Sequence, residues 1–243
     1  MQRTDIQMIL CDVDGTLLPK GEHAVSEEVF NAIRYANKSG VEIVIASGRS
    51  HPDLECLFSP VANLVYFVAG DGGLMKQNGS VLASSFISPD VLRSILTIAK
   101  SDFDCVSYTK AGVFAINEMT DVRNDIYKIA FRNPDDFLKY KLRSFAQRSG
   151  KLTEVYQDKT WLEFVAAGTD KGVACRMIQE LTGVPPERTA AFGDNFNDFA
   201  MLRRARMTFA SATAITEVKR MCKQISYHIP SEIIKLSQER GSL

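Results

Sequence analysis

The chain has 243 residues, 45% of them hydrophobic, and a formal net charge of zero, because 29 Lys and Arg residues balance 29 Asp and Glu residues. This length and hydrophobic content suffice for a substantial core in one large domain or two smaller ones. The sequence has no basic run and no basic stripe interleaved with aromatic residues, which argues against nucleic acid as a partner.

The five cysteines are scattered along the chain, and no two of them form a Cys-x-x-Cys pair. An odd number of scattered cysteines is typical of reduced thiols inside a cell, and none stands in a pattern expected of a nucleophile. The first residues lead into a predicted strand without an apolar signal segment, and no later apolar run approaches membrane-spanning length. We therefore expect a soluble cytoplasmic protein without membrane contact.

The first predicted strand lies in the stretch 9–18, where a short apolar run leads to Asp12 and Asp14 and then to a Gly-Thr pair. Such a run is typical of a buried strand whose carboxyl end lies where ligands of open α/β sheets bind. Because strand side chains alternate between faces, Asp12 and Asp14 are predicted to share one face. Two carboxylates about 4 Å apart repel by about 4 kcal/mol at a protein-like dielectric, so Mg²⁺ would suit the pair. For this motif alone, the alternative is a solvated turn.

Strands and helices then alternate as far as residue 80. The predicted elements are a helix from Ser26 to Gly40, a strand over 41–46 with Ser47-Gly48-Arg49 at its end, a helix over 52–58 and a strand over 64–68. This spacing predicts a parallel sheet with right-handed crossovers. Turn signals at Asp71-Gly72-Gly73 and Asn78-Gly79 predict a hairpin that leaves the sheet.

The pattern differs in residues 81–166. Helices are predicted over 89–100 and 134–148, and strands over 105–108, 113–116, 127–131, 153–156 and 161–165. Hairpins on an open-faced sheet are typical of an α+β unit. We therefore predict an inserted domain over 81–166 between two halves, 1–80 and 167–243, of one α/β core.

The core pattern resumes at residue 168. Thr169 or Asp170 is the expected cap of a helix to Gly183, followed by a strand over 189–192, a helix through 201–202, a strand over 207–210 and a helix over 215–220. The residues from about Ser237 are predicted to be a frayed tail. The three histidines, His23, His51 and His228, lie in no ligand spacing and are predicted at the surface or in loops.

Four polar motifs fall at these strand ends and helix starts. They are DVDGTLL at 12–18, SGR at 47–49, TDKG at 169–172 and GDNFND at 193–198. In this order they resemble the phosphatases of the haloacid dehalogenase-like superfamily, in particular the Cof-type group with a large α/β cap, over nearly the whole chain. The resemblance implies a Rossmann-like parallel-sheet core with an inserted α+β cap. It also implies a Mg²⁺-dependent hydrolase that cleaves small phosphate monoesters through an aspartyl-phosphate.

The resemblance further implies a role for each motif residue. Asp12 would attack phosphorus, and Asp14 would protonate the leaving alcohol, activate the attacking water and bind Mg²⁺ through its backbone carbonyl. Asp194 would complete the ligands of the ion, with Asp198 beside it or one shell out. The remaining implied contacts are Ser47 and Lys171 to phosphoryl oxygens, Asn197 to that lysine or the phosphate, and Gly48 and Arg49 to the substrate. Separately from the resemblance, we predict that Asp71 and Glu163 contact the leaving group.

Each implied role has a simpler alternative. Ser47 would otherwise be a turn hydroxyl, and Lys171 would be a solvated lysine in the first turn of a helix. Asp194 and Asp198 would be carboxylates favoured at a helix start by its dipole. Arg49 would bridge the core and a loop without contacting substrate.

The chain departs from the Cof-type pattern at Asp71, where members usually carry Asn, and at Thr213, which replaces another Asn. Asp71 and Glu163 would place two acids at the mouth of the site, which favours a hydroxyl-rich or cationic leaving group over further phosphates. We therefore expect a sugar phosphate as the substrate, followed by a phosphorylated cofactor. The protein is expected to be a monomer or a small homo-oligomer.

Three other functions remain open at this point. A phosphomutase of the same superfamily would use the same aspartate but return the phosphate to the sugar. A non-catalytic module that binds a phosphorylated metabolite would keep the fold, although it has no physical need to hold the charged set together. A receiver-like phosphoacceptor would lack the cap-sized insertion and is the least favoured.

Overall fold

The computed structural model describes residues 5–99, 104–157 and 160–238. Its strands are β1 Met8–Asp12, β2 Glu42–Ala46, β3 Val65–Ala69, β4 Leu74–Gln77, β5 Ser80–Ser84, β6 Asp104–Thr109, β7 Gly112–Ala115, β8 Lys128–Arg132, β9 Leu152–Gln157, β10 Trp161–Ala166, β11 Thr189–Gly193, β12 Met207–Ser211 and β13 Gln224–Ser226. Its helices are α1 Glu27–Lys38, α2 His51–Leu57, α3 Pro89–Ala99, α4 Asp136–Ser149, α5 Lys171–Thr182, α6 Phe199–Leu202, α7 Thr216–Met221 and α8 Ile229–Gln238. Lys100, the last residue of the predicted third helix, lies outside the described residues.

An eight-stranded sheet forms the core, in the order β13-β12-β11-β1-β2-β3-β4-β5. β1 lies at its centre and pairs in parallel with β2 and β11. Alternate β1 residues enter different apolar clusters, Ile9 on the side of α1, α2 and α8 and Leu10 on the side of α5, α6 and α7. Burial on both faces explains why β1 reads as a continuous apolar run. The predicted α/β fold class is confirmed, and β4 and β5 form the predicted hairpin, although it extends the core sheet antiparallel to β3 rather than leaving it.

A second sheet, antiparallel and five-stranded, has the order β7-β6-β8-β10-β9. Together with α3 and α4 it encloses a separate apolar cluster, and we call this unit the cap. The helices cover one face of the cap sheet, to which Ile129 and Phe164 point. Because strand side chains alternate, Lys128 and Glu163 point to the other face. The predicted boundaries of the inserted domain stay a prediction, and the first of them falls inside β5.

The C-terminal part departs from prediction. β13 and α8 were not predicted, and Ser237 is buried in α8, where its hydroxyl donates to the carbonyl of Ile233 at 2.7 Å. The prediction of a frayed tail is therefore wrong at Ser237 and Gln238, while residues 239–243 lie outside the described residues. Ile229, Ile233 and Leu236 form an apolar stripe at helical spacing. This stripe packs α8 beside α1 and holds the segment in place.

His51 also differs from prediction, because it is buried rather than exposed. Its ring lies edge-on to Phe67, and its Nδ1 is 3.5 Å from Nζ of Lys76. Burial, with the ammonium of Lys76 nearby, lowers the pKa of His51 below its usual value. His23 and His228 are exposed as predicted. Among the described residues, no helix is both long and apolar enough to cross a membrane.

Candidate active site

The predicted site residues converge at the carboxyl ends of the central strands. Asp12 ends β1, Ser47 follows β2 and Asp194 follows β11, and these three strands are neighbours in the sheet. The carboxyl ends of these strands border a cavity of about 440 Å³. Nine of the predicted residues line it: Asp12, Asp14, Ser47, Gly48, Arg49, Asp71, Glu163, Asp194 and Asn197. The other two, Lys171 and Asp198, are buried next to Asp12.

Lys171 is the first residue of α5, and its ammonium lies between two carboxylates. Its Nζ is 2.7 Å from Oδ1 of Asp12 and 2.7 Å from Oδ1 of Asp198. Burial alone would lower the pKa of Lys171, but the two carboxylates raise it well above its usual value. The ammonium therefore stays charged, and the alternative of a solvated surface lysine is wrong. Asp170, rather than Thr169, caps α5 by accepting from the backbone N–H of Val173 at 2.7 Å.

Asp198 holds both this lysine and the loop that carries Asp194. Its Oδ2 accepts from the backbone N–H groups of Asp194 at 2.9 Å and Asn195 at 3.0 Å. The two proposed readings of Asp198 are therefore compatible, since it caps a helical turn and also lies in the charged cluster. Oδ1 meets Lys171 and Oδ2 meets the backbone, so Asp198 is a rigid part of the site.

Three buried carboxylates form a potential metal site. Asp12, Asp194 and Asp198 each present one oxygen, and these oxygens lie within 4.8 Å of one another. Among the described residues, Oδ2 of Asp12 is buried without a hydrogen-bond partner. Gly15, at φ +85°, lies against Asp194, where a Cβ would collide with the carboxylate. This donor set of hard oxygens fits a small divalent cation such as Mg²⁺.

The charge balance of the cluster supports the same fit. Burial and the neighbouring Asp198 raise the pKa of Asp194 to about 6 and raise that of Asp12 well above its usual value. Lys171 offsets only part of this repulsion, and Lys20 lies 3.5 Å from Asp194 but is largely exposed. The cluster therefore has more negative charge than its two lysines balance, and a bound cation would relieve it.

Asp14 differs from the strand prediction. β1 ends at Asp12, and the chain then turns, with the carbonyl of Val13 accepting from Thr16 at 3.1 Å and from Leu18 at 2.8 Å. Strand alternation does not extend past this turn, so the prediction of a shared strand face is wrong. Asp12 is buried, whereas the side chain of Asp14 is 52% exposed.

Arg49 holds Asp14 by a bidentate pair, from Nε to Oδ2 at 2.8 Å and from Nη2 to Oδ1 at 2.6 Å. The hydrogen bond with Asp14 raises the pKa of Arg49 above its usual value. Such planar pairing fixes the orientation of a carboxylate. Arg49 thus links the loop after β2 to the loop after β1 and also lines the cavity, and both of its suggested roles stay predictions.

Ser47 is buried in the turn that follows β2. Its Oγ accepts from the backbone N–H of Arg49 at 3.2 Å, and its backbone N–H donates to Val68 at 2.9 Å. The serine is therefore a turn residue, and it also lines the cavity, where its hydroxyl hydrogen is available to a phosphoryl oxygen.

The two acids expected at the mouth of the site are paired with a lysine that sequence reasoning missed. Nζ of Lys128 lies 2.8 Å from Oδ2 of Asp71 and 2.5 Å from Oε2 of Glu163. The amide of Asn197 donates to Oδ1 of Asp71 at 2.9 Å, whereas the predicted partner was Lys171 or the phosphate. The only signal for Lys128 was a lysine in the apolar run 127–131, and no motif marks it.

Sequence comparison matches the chain to one hydrolase family and to several phosphatases. The sequence model of the haloacid dehalogenase-like hydrolase family matches residues 9–123 and 108–231. A Bacillus subtilis phosphatase, YwpJ, is 25% identical, and the alignment covers 91% of this chain and 94% of YwpJ. A phosphoglycolate phosphatase of Metallosphaera sedula is 28% identical, with 89% of this chain and 90% of the relative covered. The 5-amino-6-(5-phospho-D-ribitylamino)uracil phosphatase YbjI of Escherichia coli is 23% identical, with 86% of each covered.

Two solved structures have the same fold. A haloacid dehalogenase-like hydrolase of B. subtilis superposes with a TM-score of 0.83 at 21% identity, covering 98% of this chain and all of the other. A sugar phosphatase of HAD subclass IIB superposes with a TM-score of 0.79 at 18% identity, again covering 98% of this chain and all of the other. The fold therefore extends over the cap as well as the core.

Proposed function

The chain belongs to the haloacid dehalogenase-like hydrolase family and is a phosphatase, and we propose that it hydrolyses small phosphate monoesters through an aspartyl-phosphate on Asp12. Among these esters, we propose sugar phosphates as the preferred substrates. The observation that carries this proposal is the pairing of Asp12 with Lys171 at the floor of the cavity. A buried carboxylate next to a fixed ammonium is suited to attack on a phosphoryl group whose oxygens gain charge.

In the first half of the proposed reaction, a carboxylate oxygen of Asp12 bonds to phosphorus as the ester P–O bond breaks. Asp14 gives its proton to the departing oxygen, and the alcohol leaves. Lys171 and the hydroxyl of Ser47 stabilise the phosphoryl oxygens.

In the second half, a water oxygen bonds to phosphorus while Asp14, now a carboxylate, takes the proton of that water. The bond from phosphorus to Asp12 breaks, which releases phosphate and restores the Asp12 carboxylate. Arg49 keeps Asp14 oriented in this step, since both carboxylate oxygens accept from its guanidinium.

Mg²⁺, when bound, supplies positive charge that the phosphoryl oxygens and the carboxylates share. We propose that Asp12, Asp194 and the backbone carbonyl of Asp14 hold it. Asp198 instead fixes Lys171 and the Asp194 loop, because both of its oxygens already have partners.

The substrate proposal follows from the size and lining of the cavity. At about 440 Å³ it accommodates a leaving group of about the size of a sugar. Tyr108 and Tyr156 of the cap line it together with Asn195 and Asn197, which supply hydrogen-bonding groups suited to hydroxyls. Asp71, Glu163 and Lys128 together carry a net charge of −1, so a polyanionic leaving group stays disfavoured. The cytoplasmic location and the small oligomeric state stay predictions.

The direct test is phosphate release from a panel of sugar phosphates, nucleotides and phosphorylated cofactors, with and without Mg²⁺. We expect Mg²⁺-dependent release, fastest from a hydroxyl-rich monoester. Isomerisation of a sugar 1-phosphate without phosphate release would instead identify a mutase. Turnover confined to polyanionic esters would contradict the substrate proposal.

Metal binding is expected to stabilise the protein independently of turnover. At Mg²⁺ near 100 times its dissociation constant, the stabilisation is about 2.7 kcal/mol, which raises Tm by about 5–10 °C. Because a carboxylate must lose its proton to bind the ion, the Tm increase should shrink as pH falls below about 6, the pKa of metal-free Asp194. Thermal melts in EDTA and in Mg²⁺ at several pH values measure this. An equal Tm increase in Asp194→Asn would contradict the assigned site.

Removing the Arg49 guanidinium is expected to release Asp14 without unfolding the protein. In Arg49→Ala, kcat should fall about 10- to 100-fold, because the proton-transfer group loses its orientation. Arg49→Lys should recover only part of the loss, since an ammonium cannot form the bidentate pair. Steady-state kinetics measure both, with the exposed Arg93→Ala as the matched control. Unchanged kcat in Arg49→Ala would refute the positioning of Asp14.

A further inference from the structure

The ammonium of Lys128 lies where the cap meets the core. It belongs to the cap strand β8, yet it donates to the carbonyl oxygen of Gly48 at 2.9 Å and contacts Asp71 at 2.8 Å, both in the core. Its third partner, Glu163 at 2.5 Å, lies on the cap strand β10. Lys128 is 1% exposed although it lines the cavity. The side chain of Lys128 thus connects the cap to two loops of the core at the active site.

These contacts occupy the ammonium of Lys128. Two of its three N–H groups donate to Gly48 and Asp71, and the carboxylate of Glu163 lies at ion-pair distance from the same nitrogen. The ring of Tyr108, the residue opposite Lys128 in the cap sheet, lies 4.9 Å from Nζ. Burial would lower the pKa of Lys128, but Asp71 and Glu163 raise it above its usual value, so the side chain stays charged.

The core partners of Lys128 belong to the loops that carry the site. Gly48 stands between Ser47 and Arg49, and a Cβ at this glycine would lie 3.2 Å from Nζ of Lys128. The backbone N–H of Asp71 donates to the carbonyl of Ser47 at 3.0 Å, and its side chain accepts from Asn197 at 2.9 Å. A displacement of Lys128 would therefore reach the loops on both sides of Asp12.

Asp71 has a backbone conformation that supports this connection. Its φ of +54° and ψ of +36° lie in the left-handed region, which Asp and Asn tolerate better than other side chains. Burial would raise the pKa of Asp71, but the ammonium of Lys128 lowers it below its usual value. The ionised carboxylate of Asp71 is thus held by Lys128 and Asn197.

We propose that Lys128 is a positioning residue that fastens the cap to the Ser47–Arg49 turn and to Asp71, and so aligns the phosphate-binding loops without contacting substrate. This inference rests on the proposed function, because alignment matters only if these loops bind the phosphoryl group. Its consequence is that the cap contributes to the chemical step, in addition to covering the cavity. Misplacement by about 1 Å costs about 100-fold in rate.

Two variants separate positioning from simple charge balance. Lys128→Met removes the ammonium and leaves two buried acids, which is destabilising by itself. The double variant Asp71→Asn with Lys128→Met keeps the net charge of the three-residue cluster at −1, as in the native protein. Lys235→Met, on the exposed side of α8, is the matched control. The probe is p-nitrophenyl phosphate with Mg²⁺, and the second readout is amide hydrogen exchange at Asp71, whose N–H bonds Ser47.

For Lys128→Met we expect a 10- to 100-fold lower kcat, a KM within about threefold of native and at least about tenfold faster exchange at Asp71. The double variant should regain thermal stability but keep the kcat defect, and its kcat carries the test if the single variant does not fold. Native kcat in the double variant, or native exchange at Asp71 in Lys128→Met, would overturn the proposal. If the native protein cleaves no ester, the proposed function fails, while the exchange result still decides the role of Lys128.

Discussion

Asp12→Asn is expected to lower kcat by about 10⁴-fold or more for every phosphate ester that the native protein cleaves. An amide oxygen is a poor nucleophile, so the covalent step is lost. The side chain keeps its shape, and its Oδ1 still accepts from Lys171. Phosphate release with the native protein and the variant side by side measures the effect.

The same substitution is expected to stabilise the metal-free protein. Burial and Asp198 raise the pKa of Asp12 above its unfolded value, so the carboxylate costs folding free energy as the pH rises above the unfolded pKa, and the cost is complete above the raised pKa. Removing one of the repelling charges should therefore raise Tm in EDTA by about 3 °C or more, corresponding to roughly 1 kcal/mol. The gain should shrink in Mg²⁺, because the native protein then recovers the cost by binding the ion.

A loss of activity together with a gain in stability is typical of a residue selected for chemistry. The matched control is Asp90→Asn, a largely exposed residue of the cap, which should change neither quantity. Residual turnover of more than about 1% in Asp12→Asn would refute its role as the nucleophile. A lower Tm in EDTA would show instead that Asp12 is needed for folding.

The core was predictable because its residues obey local rules. The apolar β1 run, the turn signals after β3 and the Gly183 that ends α5 each determine structure over a few residues. Asp12, Ser47 and Asp194 then meet at one edge of the sheet because each follows or ends a parallel strand, and Lys171 joins them from the first turn of α5.

Three features differ from prediction, each for its own physical reason. Lys128 is marked by no motif, and its burial depends on two acids 57 and 35 positions away in the sequence. Asp14 left the strand pattern because the chain turns after Asp12. The helix α8 was not predicted, although the apolar spacing of Ile229, Ile233 and Leu236 is present in the sequence.

Lys171→Met is expected to affect both stability and catalysis, because Lys171 contacts Asp12 and Asp198 at once. Removing one partner of a buried ion cluster costs about 3–5 kcal/mol in the free energy of unfolding. Losing the charge that stabilises the phosphoryl oxygens should lower kcat about 10²- to 10³-fold. Thermal melts and steady-state kinetics measure the two effects, with Lys235→Met as the control.

A double variant separates these two roles. Native Asp12, Asp194, Asp198 and Lys171 sum to −2, Lys171→Met makes the sum −3, and adding Asp198→Asn returns it to −2. The double variant should therefore regain much of the lost stability, since the like-charge repulsion is relieved. It should not regain kcat, because no cation stands beside the nucleophile at the position of Lys171. Recovery of kcat would mean that Lys171 only balances charge, and stabilisation of the transition state would then have to come from the bound ion and Ser47.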